Sequence, residues 1–120
     1  MGYYTDYTLT VPADVPKKRC EEINKIVNGW YVFTDFLGTE WYGNAKWYDY
    51  EVDMRDLSRQ FPNVLFCLHG EGENRDDLWD AYFMGGKAQF CPAQVTITYE
   101  SFDPEKLEEV SSEYQKGGRP

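Results

Sequence analysis

The sequence has few basic side chains, a single histidine and no close pair of cysteines, and each shortage excludes a class of function. Its 12 Lys and Arg residues stand against 21 Asp and Glu residues, which gives a formal net charge of −9. Non-specific nucleic-acid binding is driven by phosphate neutralisation, so this charge argues against direct nucleic-acid binding and against an anionic membrane surface. The surplus of carboxylates favours a partner with a basic surface.

Cysteines and long apolar runs are also scarce. Cys20, Cys67 and Cys91 give an odd count and each lies in an apolar pattern, which predicts buried free thiols in a reducing cytoplasm. No apolar stretch approaches the ~20 residues that cross a bilayer. The first residues also lack the basic and apolar blocks of a signal peptide. We therefore expect a cytoplasmic protein that does not enter a membrane.

Aromatic side chains are abundant, at 18% of the chain with ten Tyr and four Trp. Such side chains bury much area in a core and, where exposed, offer flat surfaces to partners. A chain of 120 residues suffices for one core but not comfortably for two. The sequence therefore predicts a single binding domain over residues 1–115 and a frayed tail over residues 116–120.

Hydrophobic periodicity predicts a mixed fold. Two amphipathic helices are expected, over residues 16–28 and 50–61. Strands are expected over residues 3–11, 45–48, 64–68, 78–84, 87–91 and 95–99, with a polar loop over 70–76, a hairpin turn at 85–86 and a terminal helix from 103. Residues 30–45 give no clear pattern. This order predicts an α+β fold whose antiparallel sheet carries helices mainly on one face, ferredoxin-like or a variant with extra strands.

Several short motifs lie in the middle of the chain. They are Lys46-Trp47-Tyr48-Asp49, Asp53-Met54, Leu57-Ser58, Phe61-Pro62, Val64, Gly70-Glu71-Gly72-Glu73, Asp77, Trp79, Tyr82-Phe83 and Gly86-Lys87. Over residues 46–90 this pattern resembles small proteins of phages and mobile elements, some of which have ferredoxin-like folds. The resemblance implies a phage-type accessory protein that interferes with host defence in the host cytoplasm, and it assigns no catalytic residue.

The acidic and aromatic residues of this region form the candidate binding surface. Carboxylates on the exposed side of the second helix and after the 64–68 strand could imitate phosphate spacing and occlude a host protein. The candidate binding residues are Trp47, Tyr48, Glu51, Asp53, Asp56, Glu71, Glu73, Arg75, Asp76, Asp77 and Trp79, with Asp80 beside them. The expected partner is a host protein with a basic surface, and a homodimer is compatible with the sequence.

Two other functions stay open. A sponge for a small signalling nucleotide would need an aromatic pocket with a cation such as Lys46, Arg75 or Lys87. Such a protein would sequester the nucleotide without transforming it. The aromatic residues of the same region could supply the stacking surface.

An enzyme would depend on His69 with Glu71 and Glu73. No second His or Cys stands at ligand spacing, and glycines 70 and 72 lack the third glycine and the following helix of a phosphate loop. No Ser, Cys or Thr lies in a recognisable nucleophile context. The sequence therefore predicts a non-enzymatic protein with no catalytic residue, no metal ligand and no cofactor.

Overall fold

The computed structural model describes residues 2–108, which contain two α-helices and six β-strands. The helices are α1 (Lys17–Val27) and α2 (Tyr50–Gln60). The strands are β1 (Thr5–Thr10), β2 (Asp35–Leu37), β3 (Glu40–Ala45), β4 (Phe66–Gly72), β5 (Leu78–Met84) and β6 (Lys87–Pro92). Single 3₁₀ turns follow α1 at Asn28–Trp30 and lie near the end of the described chain at Pro104–Lys106.

The six strands form one open sheet in the order β2-β3-β1-β4-β5-β6, and every neighbouring pair is antiparallel. The predicted α+β class with an antiparallel sheet is confirmed. The first strand of the chain lies in the middle of the sheet, where Leu9 pairs with Trp41 on one side and Leu68 on the other. Folding of the sheet therefore joins distant parts of the sequence.

The core lies on one face of the sheet, because alternate residues of each strand point to it. In β4, for example, Phe66 and Leu68 are fully buried on this face. His69 lies between the buried positions 68 and 70 and points to the other face. Both helices bury apolar stripes in the same core, and these stripes are Cys20, Ile23 and Val27 in α1 and Met54 and Leu57 in α2. Within residues 2–108, the opposite face of the sheet carries no helix.

The aromatic segment before α2 differs from its prediction. The strand expected over residues 45–48 ends at Ala45 and begins earlier, at Glu40, where it pairs with β2. The turn between these two strands uses Gly38 with φ +72°, a conformation that favours glycine. Trp47 lies beyond the strand, and its apolar character reflects a buried ring rather than a strand position.

The loop expected over residues 70–76 is shorter than predicted, because β4 continues to Gly72. Gly70 and Gly72 pair with Tyr7 and Thr5 of β1. Glu71 between them faces the side of the sheet without helices. The polar and glycine-rich sequence that suggests a loop is therefore the end of a central strand.

The strand expected over residues 95–99 is wrong. Val95, Ile97 and Tyr99 alternate as in a strand, but they are exposed and belong to no strand. An alternating pattern forms a strand only where a sheet edge accepts it. The terminal helix expected from residue 103 is a single 3₁₀ turn at Pro104–Lys106; the rest of that helix and the tail 116–120 lie outside the described residues.

All three cysteines are free, as predicted. Cys20 is buried, whereas Cys67 and Cys91 are half-buried because they lie on the face without helices. Burial raises the pKa of the Cys67 thiol, which lowers its reactivity. In the described part of the chain no helix has both the length and the apolar character needed to cross a membrane.

The packing of α2 gives a direct test of the core. Leu57→Ala removes a fully buried side chain and should lower the free energy of unfolding by about 2–5 kcal/mol. Val52→Ala on the same helix is the matched control, because Val52 is 60% exposed and its replacement should change stability by less than about 0.5 kcal/mol. Chemical denaturation measures both, and equal effects would contradict this placement of α2.

Candidate functional site

Four aromatic side chains meet at one end of the helix-covered face of the sheet. Tyr7 comes from β1, Trp79 from β5, Tyr50 from the start of α2 and Trp47 from the segment before α2. The ring centroids are 5.2 Å apart for Tyr7 and Trp47, 6.1 Å for Trp47 and Tyr50, 5.0 Å for Tyr50 and Trp79, and 6.2 Å for Trp79 and Tyr7. Each ring therefore contacts at least two others, and we name this group the aromatic tetrad.

Two glycines of β4 make room for this group. The strand register places Gly70 between Tyr7 and Trp79. A Cβ atom at position 70 would overlap the indole of Trp79, and one at position 72 would overlap the carboxylate of Asp77. The ring and the carboxylate therefore lie directly against the backbone of β4, which is possible because glycine has no side chain.

The aromatic tetrad lines an open cleft of about 230 Å³, which we name the aromatic pocket. Its lining residues are Tyr3, Thr5, Tyr7, Trp47, Tyr48, Tyr50, Asp77 and Trp79. Tyr48 is 73% exposed and forms part of the rim, whereas Trp47 and Trp79 are buried. Among these lining residues Asp77 alone carries a charge at neutral pH.

The carboxylate of Asp77 is held in place from several directions. The hydroxyl of Tyr3 donates to Asp77 Oδ2 over 2.7 Å, and the backbone N–H of Asn74 donates to the Tyr3 hydroxyl over 2.9 Å. The backbone carbonyl of Asp77 also accepts from the N–H of Gly72 over 2.8 Å, and the backbone N–H of Asp77 donates to the carbonyl of Asn74 over 3.0 Å. Burial is the main cause that raises the pKa of Tyr7, and the negative charge of Asp77 adds to it. The pocket is therefore negative as well as aromatic.

Trp47 is fixed by a second carboxylate behind the pocket. Its indole nitrogen donates to Asp53 Oδ2 over 2.7 Å, and Asp53 lies in the first turn of α2. Asp53 was expected on the exposed side of that helix, but it is half-buried because it turns toward the indole. This contact sets the orientation of the Trp47 ring and satisfies its N–H group.

The predicted binding residues are divided among three places. Trp47, Tyr48, Asp77 and Trp79 line the aromatic pocket, with Asp53 behind it. Glu51 and Asp56 lie on the outside of α2, where they form ion pairs with Arg55 and Arg59 at 3.0 and 2.6 Å. Glu71 lies on the sheet face without helices, Glu73 accepts a hydrogen bond from the Tyr4 N–H, and Arg75 and Asp76 are exposed in the turn after β4.

Sequence reasoning did not select Tyr3, Thr5, Tyr7 and Tyr50 as site residues. The first three alternate along β1 and the segment before it, and Tyr50 begins the apolar stripe of α2, so all four resemble core or strand positions. Their contribution to a pocket depends on the antiparallel pairing of β1 with β4. The tyrosine-rich start of the chain was the available signal, because strands seldom need several phenol hydroxyls for packing alone.

On the opposite face of the sheet, His69 lies between two carboxylates. Its Nδ1 is 2.7 Å from Asp80 Oδ1 and its Nε2 is 3.0 Å from Glu71 Oε2. The hydrogen bond with Asp80, helped by Glu71 and opposed by burial, raises the pKa of His69 above its usual 6.5. Because both nitrogens face acceptors, the arrangement suits a doubly protonated imidazolium. Among residues 2–108 no three His, Cys, Asp or Glu side chains are arranged to hold a metal ion.

Comparison with protein-family models, with curated proteins and with solved structures gave no match. The function must therefore be inferred from the chemistry of the site. An aromatic ring has a negative face, so a cation placed over several rings and beside a carboxylate is attracted by all of them. The aromatic pocket has the composition for binding an ammonium or guanidinium group.

The histidine on the other face gives a pH test. A raised folded pKa means that His69 stabilises the native state fully below its unfolded pKa of about 6.5 and that this contribution is lost as pH rises through the folded pKa. The free energy of unfolding of the native protein, relative to that of His69→Gln, should therefore fall as the pH is raised from about 6.5 through the folded pKa. NMR titration of this single histidine should show a pKa above 6.5 that decreases in Asp80→Asn. An unchanged pKa in that variant, with Asp35→Asn as the remote control, would contradict the assignment.

Proposed function

We propose that this protein is a non-enzymatic binding protein that captures a basic protein partner. The aromatic pocket receives a Lys or Arg side chain of the partner, with the exposed ring of Tyr48 at the rim and Asp77 beside the cation. The observation that carries this proposal is a fixed carboxylate in a cleft otherwise lined by aromatic and hydroxyl side chains. Aromatic anchors and complementary charge are the usual sources of affinity and orientation in such contacts.

The charge of the chain supports the same partner. A net charge of −9 attracts a basic surface over a distance of about a Debye length. Exposed carboxylates of the turn after β4, such as Glu73 and Asp76, lie close in sequence to Asp77 and enlarge the negative region. The long-range field then guides the partner, and the pocket selects one cationic side chain.

A nucleotide could stack on the same rings, but the charge of the lining disfavours it. The carboxylate of Asp77 repels phosphate, and the cations named for such a site lie elsewhere. Lys46 stands 5.2 Å over the ring of Tyr4, Arg75 is exposed in a turn, and Lys87 borders a different groove beside β6. A cationic ligand is therefore favoured over an anionic one.

The fold and the biological setting are inferred on separate grounds. The element order β1-α1-β2-β3-α2-β4, with β1 between β3 and β4, is consistent with a ferredoxin-like unit that the β5–β6 hairpin extends.

The resemblance of residues 46–90 to phage and mobile-element proteins supports a role as an inhibitor of a host defence protein. The three free thiols suit the host cytoplasm as the place of action.

Binding of a simple cation tests the pocket itself. Tetramethylammonium and a Lys/Arg-rich peptide should shift the indole N–H resonances of Trp47 and Trp79, whereas that of Trp41, which donates to Asn24, should not move. Asp77→Asn should weaken peptide binding by about tenfold, because a contact of a partly buried charge is worth about 1.5 kcal/mol or more.

Asp56→Asn is the matched control for this variant. It removes the same charge from the exposed side of α2, outside the pocket, and should change affinity less than twofold after correction for ionic strength. Equal losses in the two variants would show that net charge alone binds the peptide. Affinity purification from a bacterial host, with the native chain, Asp56→Asn and Asp77→Asn as baits, then tests the partner. A basic protein should be retained by the native chain and by Asp56→Asn but lost with Asp77→Asn.

A further inference from the structure

The outer edge of β6 is an unpaired strand edge. β6 pairs with β5 on one side, and the N–H of Ala93 donates to the carbonyl of Leu78 over 2.8 Å. Because backbone groups alternate along an antiparallel strand, the N–H and C=O groups of Ala88 and Phe90 point away from β5. Pro92 lies at a position where its missing N–H would also face outward, as is usual for proline in an edge strand.

The chain beyond β6 is a strand without a sheet. We name residues 94–100, which continue directly from β6, the arm. Val95, Ile97 and Tyr99 alternate with Thr96 and Thr98, and they are 45%, 60% and 90% exposed. Within the described residues the arm pairs with no strand, although threonine and β-branched residues favour pairing.

Residues 88–99, which contain most of β6 and of the arm, form an uncharged strip in an acidic protein. Residues 88–99 are the longest stretch of the sequence without Asp, Glu, Lys or Arg. Two copies of a chain with net charge −9 repel each other, and this strip is where they can approach with the least repulsion. A basic protein partner would gain nothing from an uncharged strip, so the charge pattern favours a second copy as the occupant.

We propose that two copies of this chain exchange arms, so that the arm of each pairs antiparallel with β6 of the other. Because the arm continues β6, one two-fold axis near Ala93 produces both contacts at once, and the interface is self-complementary. The register centred on Ala93 places Phe90 opposite Thr96 and Ala88 opposite Thr98, with the outward N–H and C=O groups of each pair facing one another.

This pairing satisfies features that are unexplained in one copy. It supplies partners for the backbone groups at the outer edge of β6, and it gives the strand pattern of the arm a sheet to join. Phe90 is 55% exposed beside an open groove of about 310 Å³ between α2 and β6. A strand added beside β6 shields that side of Phe90 from water and joins the two six-stranded sheets into one.

The mass of the protein in solution tests the proposal. Light scattering after size exclusion, across a dilution series, should give twice the chain mass of 14.1 kDa at high concentration. Thr96→Pro removes an N–H from the exchanged pairs and should raise the dissociation constant by about tenfold or more. Ser101→Pro is the matched control, because it places a proline just after the arm and outside the exchanged pairs. It should leave the dimer unchanged.

Amide hydrogen exchange gives an independent measurement. The amides of Ala88 and Phe90 should be protected in the dimer and should exchange rapidly in Thr96→Pro, while those of β4 stay protected in both. A monomer at every concentration would overturn the proposal, and so would a Thr96→Pro dimer of unchanged strength. Protection of Ala88 and Phe90 in a monomer would also overturn it, because the arm would then pair within its own chain. None of these results alters the Asp77 test of the pocket.

Discussion

The structure depends on one constraint, which is that two short helices must cover one face of a six-stranded sheet. The outer strands lie about 24 Å apart at a spacing of about 4.8 Å, whereas two helices about 10 Å wide cover about 20 Å. The helices have eleven residues each and are about 16 Å long, while β4 and β5 extend over about 23 Å. Some of the core face must therefore remain outside the helices, both at one end of the strands and at the β6 edge.

Aromatic side chains cover the end of the sheet that the helices do not reach. Large rings fill space with few residues, and the Tyr7–Trp47 and Tyr50–Trp79 contacts close the layer where α2 begins. This covering is incomplete, because an open gap remains beside the rings at this end of the sheet. The aromatic pocket is such a gap, and Asp77 gives it a charge. The high aromatic content of the sequence thus serves the core and the candidate site together.

Features with a local pattern could be predicted from the sequence, and features set by long-range pairing could not. The stripe of α2 and the hairpin at Gly85-Gly86 are readable because every residue needed for the signal is close in sequence. The position of Asp77 beside Tyr3 depends on β1 pairing with β4, which joins residues 57 to 67 positions apart. Gly70 and Gly72 resembled a loop for the same reason, since they make room for a ring from β5 and for a carboxylate from the turn before it.

The arm shows that a strand pattern can also occur where the structure has no strand. Its alternation is typical of a strand, yet residues 95–99 belong to no strand, because periodicity contains no information about whether a sheet edge is there to accept them. The two candidate surfaces of the protein also meet at one contact, since Phe90 of β6 lies 5.5 Å from the ring of Trp79 in the wall of the aromatic pocket. A strand that pairs with β6 therefore restrains a residue that supports the pocket. By thermodynamic linkage, a cation that orders Trp79 would then strengthen pairing at the β6 edge to the same extent that pairing strengthens cation binding.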